Sequence, residues 1–199
     1  MIGVGNKLLS LVCFFLSFSG FCQDFSRIQP ELEKMLDESA RHRDSLVLIV
    51  DKYGWGSSQF DSLNKKMIAH SARHYKYSVE IISEYGWLGI SDIGRKANAS
   101  LFIAIQHSDD PSVMESFFPL LEKSAHKGES DLKDMANMKD RILVYNQRPQ
   151  IYGTQWNFSE GQTTLFPIEN PNNINEKRKS VGLEPLSSEQ IKFAATSYD

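Results

Sequence analysis

A mainly α-helical bundle, folded as a single domain with a short β-hairpin or ordered loop near its C-terminus, is the architecture this sequence predicts. Three observations point to it. Apolar residues recur every three to four positions through most of the chain, the period of a helix with one buried face. Glycine and proline stand at helix-length intervals, at Gly54, Gly86, Pro111 and Gly128. After Pro149 the texture changes to aromatics alternating with polar residues.

Residues 1–22 read as a signal peptide and residues 23–199 as one helical domain. Lys7 supplies a positive start, and "LLSLVCFFLSF" (Leu8 to Phe18) is an apolar core too short to span a bilayer, which takes about 20 apolar residues. Gly20 and Cys22 place small side chains at the −3 and −1 positions of a cleavage site, so the mature chain begins at Gln23. A lipid anchor on Cys22 is disfavoured by Phe21, where a lipobox needs a small residue. The chain is therefore expected to be exported, to the periplasm or beyond, and not to remain an integral membrane protein.

Ile28 to Asp51 forms the first predicted helix, with Pro30 in its first turn and Leu32, Met35, Leu36, Leu46, Ile49 and Val50 facing inward. Ser58 and Asp61 have capping-box spacing for a second helix, whose stripe is Phe60, Leu63, Met67, Tyr77 and Ile81. His70 and His74 fall on that stripe. The third helix, capped by Ser91, runs through "GRKANASLFIAI"; with so little polar face it should be central, packed on most sides. Asp110 and Pro111 make an N-cap and N1 pair for the fourth helix, which carries Met114, Phe117, Phe118, Leu121 and Ala125. A fifth spans Ser130 to Tyr145. "QIYGTQWNFSEGQTTLFPI" then reads as hairpin or ordered loop. Capping-box spacing at Asn173/Glu176 and Ser187/Gln190 marks two small helices. "DKYGW" and "SEYGW" echo each other, which a glycine stop followed by an inward aromatic explains better than a repeat.

Composition narrows the function. The formal net charge is −3, and the basic run Lys177-Arg178-Lys179 follows Glu176 as a solvated helix face, so no nucleic-acid partner is expected. Both cysteines, Cys13 and Cys22, lie in the leader, which leaves the mature chain without disulfides or thiol chemistry. No cofactor signature is present: there is no glycine-rich phosphate loop and no GxSxG elbow.

Three polar constellations remain. In "HSARH", His70 and His74 at i, i+4 share a helix face as zinc ligands do, but Ser71 stands where the zinc-protease helix needs Glu and no third ligand is fixed. The expectation is therefore no metal, with His70 and His74 the weak candidates and His42 a charged-turn residue without special role. In "QHSDD", His107 at a helix C-terminus could be oriented by Asp109 as a general base; equally, Asp109 and Asp110 could simply cap the next helix. In "DRILVYNQRPQIYGTQW", Arg141 has the planar fork that grips a carboxylate or phosphate, and Tyr152, Thr154 and Gln155 flank a permissive Gly153.

The ordered strings "EYGWLGISDIG", "QHSD", "KDRILV", "PQIYGTQ" and "NEKRKSVGLEPL" resemble domain of unknown function 6624, a bacterial family often exported in Bacteroidetes. The resemblance runs from about the first helix to the C-terminus. It implies a mainly helical domain and brings no reaction, ligand or catalytic residue. It does join Gln106, His107 and Asp109 with Asp140, Arg141, Tyr152 and Gln155 in one pattern. This chain departs from that pattern at "ARHR" in the first helix and at His70 and His74 in the second.

Three functions follow as expectations. The first is a binding module holding a small polar or peptide-like ligand in a cleft of Gln106, His107, Asp109, Asp140, Arg141, Tyr152 and Gln155, walled by Trp87 or Trp156. The second is a cell-envelope hydrolase, with His107 and Asp109 as general base and Arg141 or Tyr152 steadying an oxyanion. The third is a purely structural polar network that docks the C-terminal loop.

Overall fold

The computed structural model describes residues 24–108, 110–159, 162–192 and 194, so the predicted leader and Asp109 lie outside the described residues. The fold is mainly α. Its helices are α1 (Ile28–Tyr53), α2 (Ser58–Tyr85), α3 (Ile90–Gln106), α4 (Pro111–His126), α5 (Leu132–Tyr145), α6 (Ile174–Ser180) and α7 (Ser188–Lys192). A two-stranded antiparallel hairpin, β1 (Trp156–Ser159) with β2 (Gln162–Leu165), sits between α5 and α6 in a register pairing Trp156 with Leu165. None of the helices among the described residues is long and apolar enough to cross a membrane.

α3 is the central helix, in contact with α1, α2, α4 and α5. Its composition explains this. Ala97, Asn98, Ser100, Leu101, Phe102, Ala104, Ile105 and Gln106 are all buried, and the small residues let neighbouring backbones approach. The main core gathers Leu32 of α1, Ile81 and Ile82 of α2, Leu101 and Ile105 of α3, Met114 and Leu121 of α4, and Met138 of α5. Each such burial contributes about 1.5–3 kcal/mol before conformational entropy is counted. A smaller core of Leu165, Ile174 and Leu186 holds the hairpin against α6.

Caps decide where the helices begin. Asp110 caps α4 through Ser112 N at 2.9 Å with Pro111 behind it, as its sequence predicts. Ser187 and Gln190 form a reciprocal box at α7. Four starts differ from expectation, among them α6, where Asn173 makes no side-chain cap and its Oδ1 has no partner among the described residues. Ser57, not Ser58, caps α2 through Phe60 N. Gly89 opens α3, its N–H donating to Asp92 Oδ2 at 2.8 Å. Asp131 caps α5, because Ser130 is buried and hydrogen-bonded to Asn98 and Ser124 instead. The "YGW" echo is a shared helix stop: Gly54 and Gly86 have φ of 81° and 77° with extended ψ, a region open essentially to glycine alone.

Candidate functional site

The hydrophilic strings of the sequence resolve into two neighbourhoods, parted by α5. Adjacent residues on a helix point about 100° apart, so Asp140 and Arg141 face different surroundings.

Asp140 faces the C-terminal loop. Its side chain is fully buried, and its carboxylate accepts from Ile151 N (2.7 Å), Tyr152 N (3.1 Å), Thr154 N (3.0 Å) and Thr154 Oγ1 (2.9 Å). Burial pushes this carboxyl above the usual range, while the bonds from Tyr152, Ile151 and Thr154 pull it back down. Gln150, also fully buried, uses its whole amide: Nε2 donates to Gln155 O and Phe166 O, and Oε1 accepts from Gln155 N. Gln155 reaches back to Asn137 Oδ1 on α5 at 2.9 Å. Arg178 closes the loop from α6, donating to Tyr152 O and Gly153 O. Gly153 adopts φ 65°, and a Cβ there would stand 3.0 Å from Leu186, so the tight turn and its packing both ask for glycine. The string "PQIYGTQ" is thus a knot that spends its backbone and amide groups internally. Tyr152 itself is half-buried against the main core, and burial, then Asp140 and Glu122, raises its phenol pKa.

Arg141 faces the other way. It is half-buried, its guanidinium lies 5.8 Å from the Tyr145 ring centroid, and its Nε is buried without a hydrogen-bond partner among the described residues. His107 closes the end of α3 nearby. Its residue is exposed at the surface, yet the protein mass crowding the ring, then Arg141 and Arg43, hold its pKa below the ordinary imidazole value. Gln106, one residue back, is buried, with Oε1 unpartnered among the described residues. The rest of "QHSDD" serves the helix exit: Ser108 Oγ accepts from Asp110 N, and Asp110 caps α4. The Asp109 expectation falls outside the described residues.

A third group extends this second neighbourhood along the α1–α2 seam. Glu38 and His42 are one turn apart on α1, facing His70 and His74 one turn apart on α2. His70 and His74 are both buried. His70 Nε2 lies 2.8 Å from Ser39 Oγ, which donates to Met35 O. His74 Nε2 lies 2.8 Å from Ser100 Oγ, which donates to Leu32 O. A hydroxyl has one proton, so each imidazole donates from Nε2. Burial lowers the pKa of both, that of His74 to about 4, and His107 is among the charges that act on His74. A run of nitrogen bases therefore extends from His42 through His70 and His74 to His107, flanked by Arg43, Arg73 and Arg141.

Of the residues expected to meet, Asp140, Tyr152 and Gln155 do so in the loop knot. His107 lies within the electrostatic reach of Arg141, away from the knot, while Gln106 is buried one residue earlier on α3. The hydrogen bonds of Tyr152, Thr154 and Gln155 run to Asp140, Asn137, Gln150 and Arg178 rather than to His107. Trp87 packs on the main core and Trp156 on the smaller one. Sequence reasoning passed over Glu38, His42, Arg43 and Gln150. The repeated i, i+4 spacing of Glu38/His42 and His70/His74 is the signal that could have found the seam.

No curated protein and no solved structure matches the chain significantly. A family profile does match, over residues 28–199, which takes in every element from α1 to α7 and both polar neighbourhoods; the chain belongs to the family of unknown function DUF6624.

Proposed function

We propose that the domain is an exported binding module that takes a small anionic or peptide-like ligand where Arg43, Arg141 and His107 converge. The observation that carries this reading is that the charges of Arg141 and Arg43 both act on the His107 imidazole and, after burial, lower its pKa. Arg141 Nε is buried and has no hydrogen-bond partner among the described residues. Guanidinium forks favour carboxylate and phosphate oxygens, and the neutral imidazole offers a further donor. Asp140, Tyr152 and Gln155 support this site by anchoring the loop on α5, and so fix the helix that presents Arg141.

Isothermal titration with inorganic phosphate and with a short acidic peptide tests the reading. Salt-sensitive binding of either probe is expected, weakened about ten-fold or more by Arg141→Ala, the loss of one charge-assisted contact. Equal affinity in that variant, or no binding of either probe, rejects the assignment.

The depressed pKa of His107 favours a second reading, hydrolysis with this imidazole as general base, since the neutral form is the one that accepts a proton. His107→Ala should then abolish turnover of an ester or peptide reporter while the melting temperature holds. Retained turnover rejects it. Export itself rests on the predicted leader: N-terminal sequencing of the protein from the cell envelope or medium should begin at Gln23. Intact leader on a wholly cytoplasmic product would reject that proposal.

A further inference from the structure

Midway along the α1–α2 seam, Glu38, His42 and His70 each present a ligating atom, and these atoms lie within 4.8 Å of one another. Glu38 Oε2 and His70 Nδ1 are already 3.3 Å apart. Two donors on one zinc ion, with bonds of about 2.0–2.1 Å at tetrahedral angles, sit about 3.3 Å apart. The supporting contacts are those a metal-binding imidazole uses. His70 donates its Nε2–H to Ser39, which leaves the lone pair on Nδ1, on the side of Glu38. His42 Nδ1 is buried and has no hydrogen-bond partner among the described residues, and the His42 ring lies edge-on to that of His70, centroids 5.3 Å apart.

A lone pair facing a carboxylate repels it unless a positive group lies between them. Arg73 supplies one. Its Nη2 is 3.1 Å from Glu38 Oε2 and 3.3 Å from His70 Nδ1. The Arg73 side chain is 58% exposed and can swing into solvent. Two of the three donors, Glu38 and His70, thus already hold a cationic nitrogen that can withdraw.

We infer that Glu38, His42 and His70 form a site for one divalent transition-metal ion of the zinc type, entered as Arg73 swings out. Two imidazoles and one carboxylate suit such an ion, where an all-oxygen set would suit magnesium or calcium. Three protein ligands leave a fourth position for water or a bound ligand. This site goes beyond the anion site at Arg141 and stands or falls without it.

Titration of metal-stripped protein with Co2+ alone, read by its visible absorption, tests the site. The full chain is used with Cys13→Ser and Cys22→Ser, so that no thiolate can supply a ligand. One Co2+ per chain is expected, displaced one for one by Zn2+. Glu38→Gln and His42→Gln should each weaken binding more than ten-fold. Ser39→Ala, which frees the His70 ring to turn, should cost about ten-fold. Arg73→Ala should tighten binding by removing the competing cation. Circular dichroism confirms that each variant is folded; Glu38→Gln, isosteric on a part-exposed side chain, decides the matter if His42→Gln unfolds. No uptake by the parent chain, or undiminished affinity in a folded ligand variant, overturns the inference.

Discussion

Asp140→Ala is expected to lower the melting temperature by about 10 °C. The replacement strands four donors, Ile151 N, Tyr152 N, Thr154 N and Thr154 Oγ1, around a position with no solvent exposure. A buried donor without an acceptor costs about 1–3 kcal/mol, and partial rearrangement leaves a total of about 4 kcal/mol, worth about 2–4 °C per kcal/mol in a chain of this length. Thr154→Ala removes one of the four donors and should cost about 1 kcal/mol. Arg141→Ala, the next residue along, should shift the transition by less than about 2 °C, the scale of a change that breaks no buried hydrogen bond. Thermal melts of the three variants check this. A shift under about 3 °C for Asp140→Ala would mean that the loop does not depend on the carboxylate.

His74 should contribute stability that acid removes between about pH 6.5 and about 4. The imidazole is buried, and its pKa falls from 6.5 to about 4 because burial, then His70, disfavour the charged form. The sign follows from proton uptake. As pH falls below 6.5 the unfolded chain protonates His74, while the folded chain resists until about 4. Stability from this group is therefore full above 6.5 and is lost progressively as pH drops to about 4. The loss comes to about 3 kcal/mol. His70, lowered in the same direction by burial, adds to it. Urea unfolding of the parent and of His74→Gln at about pH 7 and about pH 4.5 isolates this loss, because burial raises the carboxyl of Asp134 to about 7 and that of Asp140 in the same direction, and these contributions run the opposite way with pH. His74→Gln keeps a donor for Ser100 and should lose less stability than the parent on acidification; the same pH dependence in both proteins would remove His74 from the explanation.

The seam and the loop knot differ in how much of each could be read from residue types. His70 and His74 announce a shared face by spacing alone, and Asp110-Pro111 announces a helix start. Nothing in "ESARHR" says that Glu38 and His42 lie opposite them, because helix pairing depends on crossing and register across sequence separations of about thirty residues. The "DR" pair shows the same limit from the other side. Two adjacent polar residues read as one motif, yet the turn of the helix assigns Asp140 to loop docking and Arg141 to the surface near His107. Gln150 was legible only as loop polarity; its role emerges from the backbone of Gln155, Phe166 and Pro167 wrapping round it.

From residue order alone came the mainly helical class, the central helix, the stops at Gly54 and Gly86, the hairpin after Pro149 and the family. These are local or periodic properties, written into the chain by backbone geometry and by which side chains avoid water. Tertiary structure decided which polar groups meet. It gathered Asp140 with the loop, His107 with Arg43 and Arg141, and Glu38 and His42 with His70. The reason is that a hydrogen bond or a shared ion depends on angstrom-scale placement between distant segments, which packing sets and periodicity does not encode.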